Sequence, residues 1–172
     1  SYSIAGADAD FLSIDTDDGE IRLKAPSNFE IKSSYNFDVT ASDGLLSHTK
    51  SIELLVSDVN EAPVIDTGNF GTVVENTSAS AVIYDADASD VDAGASLSFS
   101  VSGTDADKIV IDADDGEVRL LKNSDFETQS SYSFSVIATD GQLADSKDVV
   151  VSVLDVNEAP VITFGTTGSV YE

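Results

Sequence analysis

The hexapeptide Asp58-Val59-Asn60-Glu61-Ala62-Pro63 places two carboxylates and an amide side by side, and it returns unchanged at Asp155–Pro160. Asp90 and Asp92 stand one residue apart, Asp140 precedes Gly141, and Glu30 follows Asn28-Phe29. Brought together, such groups repel. Two unit charges 4 Å apart oppose each other by about 4 kcal/mol at an effective dielectric near 20, so convergence demands a counter-ion. A donor set of hard oxygens, poor in nitrogen and free of sulfur, selects calcium, which takes about 6–8 oxygens at about 2.3–2.6 Å. Magnesium matches less well, because it holds on to its waters. Paired carboxylates also serve glycosidases. Here the acids recur along the chain and gather at linkers, with no cleft in evidence, so we read no enzyme and no catalytic residue.

The composition narrows the partners. The 172 residues carry 32 acidic and 8 basic groups, a net charge of −24, with no Cys, Met or Trp. Disulfides, thiolate catalysis and zinc–thiolate sites are excluded. A phosphate backbone needs a basic face, so nucleic acid is excluded as a partner, as is an anionic membrane surface. No apolar run approaches the ~18 residues of a membrane span, and no signal peptide is visible. A hydrophobic fraction of 41% supplies real cores, unlike that of a disordered acidic tail. The absence of an initiator Met reads as an interior window of a longer chain or a processed product.

Self-comparison gives the organisation. Ser1–Leu23 returns as Ser98–Leu120, Asn28–Gly44 as Asp125–Gly141, and Asp58–Ile65 as Asp155–Ile162, at a constant offset of about 97 residues. That period is a domain, longer than a solenoid turn. We divide the chain into a partial repeat at 1–63, a complete repeat at 64–160 and the first strand of a third at 161–172.

These repeats must position the acids on strands. Tyr132, Phe134, Val136 and Ala138 alternate with outward residues, as do Tyr35, Phe37, Val39 and Ala41, and Leu97, Phe99 and Val101. Val149–Leu154 is a β-branched run suited to a doubly buried strand. Val118–Leu121 follows the turn residues Asp114-Asp115-Gly116. Shorter strands fit Thr72–Val74, Ala81–Tyr84 and Ile109–Ile111. Seven strands per repeat without a helix predict an all-β fold of tandem Ig-like Greek-key sandwiches. The first repeat keeps about five strands, leaving two edges and part of a core face open.

With its linkers, loops and strands in this order, the sequence resembles tandem cadherin repeats, and more closely the cadherin-like repeats of large secreted bacterial adhesins. The family's P-E-N corresponds to Val74-Glu75-Asn76, its D-x-D to Asp90-Val91-Asp92, and its A-x-D to Ala138-Thr139-Asp140 and Ala41-Ser42-Asp43. Its L-D-R-E corresponds loosely to Ser124-Asp125-Phe126-Glu127 and Ser27-Asn28-Phe29-Glu30. Its D-x-N-D-N-x-P linker corresponds to Asp58–Pro63 and Asp155–Pro160. The resemblance implies calcium between successive repeats, rigidifying an extracellular rod. It implies ligands Glu30, Asp58, Asn60, Glu61, Asp90, Asp92 and Asp140 at one junction. At the next it implies Glu75, Glu127, Asp155, Asn157 and Glu158. The linker is one residue shorter than the animal pattern, and Ala62 and Ala159 replace a carbonyl-bearing Asn, which gives two to three ions per junction.

Asp112–Glu117 and its copy Asp15–Glu20 read either as hairpin turns or as weak ion sites, because the glycine falls short of the sixth place an EF-hand needs. Asp105-Ala106-Asp107 and Asp8-Ala9-Asp10 read likewise. His48, aligned with Asp145, reads as a surface residue. The expected partners are neighbouring repeats of the same chain or filament. The alternatives are a sandwich that binds carbohydrate or another copy, with a polysaccharide or cell-surface ligand, and a filament subunit exchanging strands.

Overall fold

The alternation of small polar and apolar residues dictates strands throughout, and the computed structural model, which describes residues 1–162, contains two compact units built almost wholly from them. The first comprises Ser1–Glu61 with Val91–Ala95, the second Ala62–Asp90 with the chain from Ser96 onward.

In the first unit, β1 (Tyr2–Ala5), β4 (Ser34–Ser42) and β5 (Ser47–Leu55) form one antiparallel sheet, and β2 (Leu12–Ile14) pairs with β3 (Ile21–Leu23). Leu12, Tyr35 and Phe37 are buried between them.

In the second unit, β6 (Val64–Ile65), β7 (Phe70–Val74), β8 (Val82–Asp85) and β9 (Ala88–Ser89) precede β10 (Ser98–Ser102), β11 (Ile109–Ile111), β12 (Glu117–Leu120), β13 (Ser131–Thr139) and β14 (Ala144–Leu154). One sheet runs β10-β13-β14-β7, with β7 parallel to β14. The other runs β11-β12-β8, and β6 pairs with β9. Phe134, Val136, Val149 and Val151 from the first sheet meet Tyr84 and Val118 from the second in a closed core, with Tyr84 edge-on to Phe134 at 6.1 Å. This is the expected Ig-like β-sandwich.

The seven expected strands of this unit are present, with the first two each broken. The polar stretch Asp66-Thr67-Gly68-Asn69 interrupts the first. The two-residue strands β6 and β9 are too short for a period to register in sequence. Side chains of β14 hold β6 instead: Asp145 accepts the Ile65 N–H at 3.0 Å, and Lys147 donates to the carbonyls of Ile65 and Thr67.

Counterparts of β10–β14 exist in the first unit as β1–β5, but residues 1–61 contain no counterpart of β6–β9. The consequence is visible in burial. Val118, Val136 and Val149 are at most 1% exposed, whereas their equivalents Ile21, Val39 and Ile52 are only half-buried. Of the expected third-repeat strand at 161–172, residues 163–172 lie outside the described residues. No helix among the described residues is long and apolar enough to cross a membrane.

Candidate metal centres

The centre in the second unit starts at the end of β7. Glu75 follows Val74 directly and is buried. One carboxylate oxygen accepts the Val156 N–H and the other the Phe126 N–H at 3.1 Å. The Val156 bond, aided by that of Phe126, outweighs burial and holds the Glu75 carboxyl below its ordinary value. Asn76 is the only described non-glycine residue at positive φ, 62°, a conformation that asparagine tolerates. That turn lets its N–H donate to Ser124 O at 2.8 Å and its amide to Glu158 Oε1 at 3.2 Å. Ser124 is buried; its hydroxyl donates to Val74 O at 2.9 Å and accepts the Thr77 N–H at 3.1 Å. The 122–127 loop is thereby fixed to the end of β7.

These contacts gather Glu75, Glu127, Asp155 and Glu158, each offering an oxygen within 4.8 Å of the others. A second group, Glu30, Asp58, Glu61 and Asp92, is gathered as tightly within the first unit. There the Asp92 carboxylate also accepts the Glu61 N–H at 3.0 Å. Three members of each group are repeat equivalents: Glu30 with Glu127, Asp58 with Asp155, and Glu61 with Glu158.

The crowding shows in the acidities. Loss of solvent, then the charges of Glu30, Asp92 and Asp58, push the Glu61 carboxyl up. At Glu127 a hydrogen bond from its own N–H pulls down, but burial and the charges of Glu75 and Glu158 outweigh it. Four carboxylates sharing so small a volume form an oxygen-only donor set suited to a hard divalent cation such as calcium.

Asp90 and Asp140 bring their carboxylates within 4.8 Å of each other in the second unit. Asp140 is aimed by the β13–β14 turn, where its Oδ1 accepts the N–H groups of Gln142 and Leu143 at 2.6 and 2.7 Å. Asn60 and Asn157 lie in the linkers, and each amide donates to the carbonyl of the following Glu.

The profile of the cadherin domain family matches residues 70–154, from β7 to the end of β14. Residues 70–154 form a cadherin domain. Over 163 residues the chain is 34% identical to human Cadherin-12, covering 85% of this chain and 20% of that protein. Over 173 residues it is 32% identical to the Drosophila melanogaster Protein dachsous, covering 94% and 5%. Among solved structures, human Protocadherin-24 EC1-2 superposes with a TM-score of 0.70 at 19% identity, over 91% of this chain and 82% of that one. The chain thus spans a fifth or less of these two relatives. Both are animal proteins, so the match supports the cadherin superfamily and does not carry the expected bacterial adhesin.

Sequence reading missed several supports of this cadherin domain. The sequence places Asp105 in a turn or a weak ion site, yet it is buried at 7% exposure. Its carboxylate accepts the Ser133 N–H at 2.8 Å, the Lys108 ammonium at 2.8 Å and the Gln129 amide at 3.0 Å. In the first unit Asp8 accepts the Asn36 N–H at 2.7 Å and pairs with Lys32 at 2.8 Å. The cation has changed place: Lys108 aligns with Phe11, and Lys32 with Gln129. That exchange was the available signal. Asp112 and Asp115 accept backbone N–H groups of the β11–β12 turn, as Asp15 and Asp18 do in the β2–β3 turn, so the hairpin role accounts for them. His48 is exposed on β5.

Proposed function

We propose that this chain is a calcium-stiffened segment of an extracellular adhesive rod. The observation that carries the reading is the pair of four-carboxylate groups, three members of each at repeat-equivalent positions and each drawing on the linker that leads from one repeat towards the next. Calcium supplies the positive charge that lets each group stay closed.

On this reading Glu30, Asp58, Glu61 and Asp92 hold calcium in the first group, with Asn60 beside them. Glu75, Glu127, Asp155 and Glu158 hold it in the second, with Asn157 beside them. Asp90 and Asp140 add a further carboxylate pair, giving two to three ions per junction. The protein's own groups prepare the site: Asn76, Ser124 and the Phe126 and Val156 N–H groups fix Glu75 before an ion arrives. Linker order is then linked to ion binding by RT ln(1 + [L]/Kd), about 2.7 kcal/mol at a hundredfold excess. Millimolar calcium outside cells suits such sites, and the acidity, the absence of Cys and the close repetition fit a long array on a cell surface. The adhesive role follows from the cadherin relatives. A bacterial surface adhesin is the finer form of the proposal, favoured by the shortened linker.

The test is a thermal melt with small-angle scattering, in calcium and then in chelator. We expect chelation to lower the melting temperature and loosen the particle while leaving strand content intact. If neither melting nor particle dimensions respond to calcium, the proposal fails.

A further inference from the structure

A cavity of about 360 Å³ opens in the second unit, where the turn before β11, the loop after β12 and the start of β13 meet. Tyr132, 7% exposed, lines it. A buried tyrosine hydroxyl ordinarily finds a partner, as that of Tyr84 does by donating to Gly68 O at 2.6 Å. The Tyr132 hydroxyl makes no hydrogen bond among the described residues and is not sealed from solvent, so it is left to the cavity. Two charged groups of the lining are also open to a ligand. The Lys122 ammonium and the Asp107 carboxylate make no hydrogen bond or ion pair among the described residues. The other charges there are engaged: Lys108 donates to Asp105 and Gln129, and Asp125 accepts from the Thr128 N–H and hydroxyl.

The first unit repeats this cavity. Every residue that lines it has a counterpart, about 97 positions earlier, lining a cavity of about 410 Å³. Tyr35 takes the place of Tyr132, is 6% exposed, and likewise leaves its hydroxyl without a hydrogen bond among the described residues. Each cavity has two lysines, yet they share no position. Lys108 and Lys122 stand where the first unit has Phe11 and Ala25, and Lys24 and Lys32 where the second has Leu121 and Gln129. Half of the chain's 8 basic groups thus line these two cavities. Pairing with a buried aspartate accounts for one lysine in each, Lys108 with Asp105 and Lys32 with Asp8. It does not account for Lys122, nor for Lys24, which donates to Asp10 O at 2.9 Å.

We propose that the second-unit cavity binds one uronic-acid unit of an acidic polysaccharide. Its carboxylate goes to Lys122 and the Tyr132 hydroxyl, its ring hydroxyls donate to Asp107, and its apolar ring face lies against Leu121, which is 56% exposed. The open groups select that ligand. A simple carboxylate satisfies Lys122 but leaves Asp107 without a donor, and a neutral sugar does the reverse. A sugar acid uses both. The volume sits at the small end of the ~300–1,000 Å³ that ligand sites occupy, which suits one pyranose ring. The protein's net charge of −24 opposes an anionic ligand, so a single site is weak. A polymer that presents the same unit many times offsets this by engaging one cavity per repeat. The inference is independent of the metal proposal, since none of the metal-site candidates lines either cavity.

The test is a nitrogen–proton correlation NMR titration of the whole chain in excess calcium. The probes are trigalacturonate, a neutral trisaccharide of the same size, and glutamate. We expect trigalacturonate to shift amides around the second-unit cavity with Kd on the order of 1 mM, and the other two to bind at least about fivefold more weakly. Lys122→Ala and Tyr132→Phe should each raise that Kd about fivefold or more. Shifts around the first-unit cavity should stay as in the parent and serve as the internal reference. Tyr132→Phe should melt as the parent does, because the hydroxyl it removes has no partner in the protein. Lys50→Ala, which removes an exposed lysine of β5 that lines neither cavity, should leave Kd unchanged. The proposal is overturned if about 10 mM trigalacturonate shifts nothing at the cavity, if the neutral sugar or glutamate binds as well, or if either cavity variant keeps the parent Kd. Shifts confined to the acidic linkers would also overturn it, since they mean capture through bound calcium.

Discussion

Asp105→Asn tests the most buried ion pair of the cadherin domain. The substitution keeps shape but leaves one acceptor where three donors converge: the Ser133 N–H, the Lys108 ammonium and the Gln129 amide. If the new carbonyl keeps Ser133, its amide must face Lys108 and Gln129, two further donors. Replacing an ionised acceptor with a neutral one weakens the Ser133 bond by about 1 kcal/mol, and losing the Gln129 bond removes about as much again. The Lys108 side chain is 45% exposed, so solvent screening holds its share under about 1 kcal/mol. The expected loss is about 2–3 kcal/mol, or roughly 8–20 °C in melting temperature for a unit of about a hundred residues. The assay is a thermal melt followed by far-ultraviolet circular dichroism, in excess calcium so that the proposed metal centres stay constant. Acidity gives a second reading. Burial raises the Asp105 carboxyl, but Lys108, Ser133 and Gln129 together bring it below its ordinary value. A depressed carboxyl contributes stability above its unfolded value of about 3.9 and loses it as pH falls through the folded value. The gap between parent and variant should therefore hold steady from pH 5 to 8 and close below about pH 4. A variant melting within 2 °C of the parent at pH 7 would refute the reasoning, as would a gap unchanged at pH 3.

Three substitutions probe the candidate metal centres and the fold separately. Glu127→Gln relieves the repulsion from Glu75 and Glu158, so it should raise stability in chelator while weakening calcium binding tenfold or more by titration calorimetry. Asp114→Ala, confined to a hairpin turn, should leave that affinity within about twofold; an equal loss from both would displace the site. Gly116→Ala should destabilise the sandwich by more than about 2 kcal/mol in denaturant unfolding. Gly116 sits at φ +80°, and a Cβ there would come within 2.2 Å of Ala86 O. A near-neutral result would mean that β12 and the Ala86 backbone lie farther apart.

The alternation of Tyr132, Phe134, Val136 and Ala138 was enough to place β13 and its inward face, because a period of two residues depends on the strand alone. The constant offset between copies marked the repeats and the acidic linkers for the same reason, since repetition is a property of sequence. Two-residue strands such as β6 and β9 escaped, because β6 is held by Asp145 and Lys147 some eighty residues away, β9 by its pairing with β6, and neither has a local signature.

For the sites, residue type alone indicated that oxygen-rich linkers suit a hard cation. Type could not say which acids converge. Asp105 and Asp114 look alike in sequence, each in an Asp-rich turn, yet one is buried against β13 and the other stays in its hairpin. The tertiary structure decided this, because a carboxylate's role depends on which N–H groups and charges surround it, and those come from strands distant in the chain.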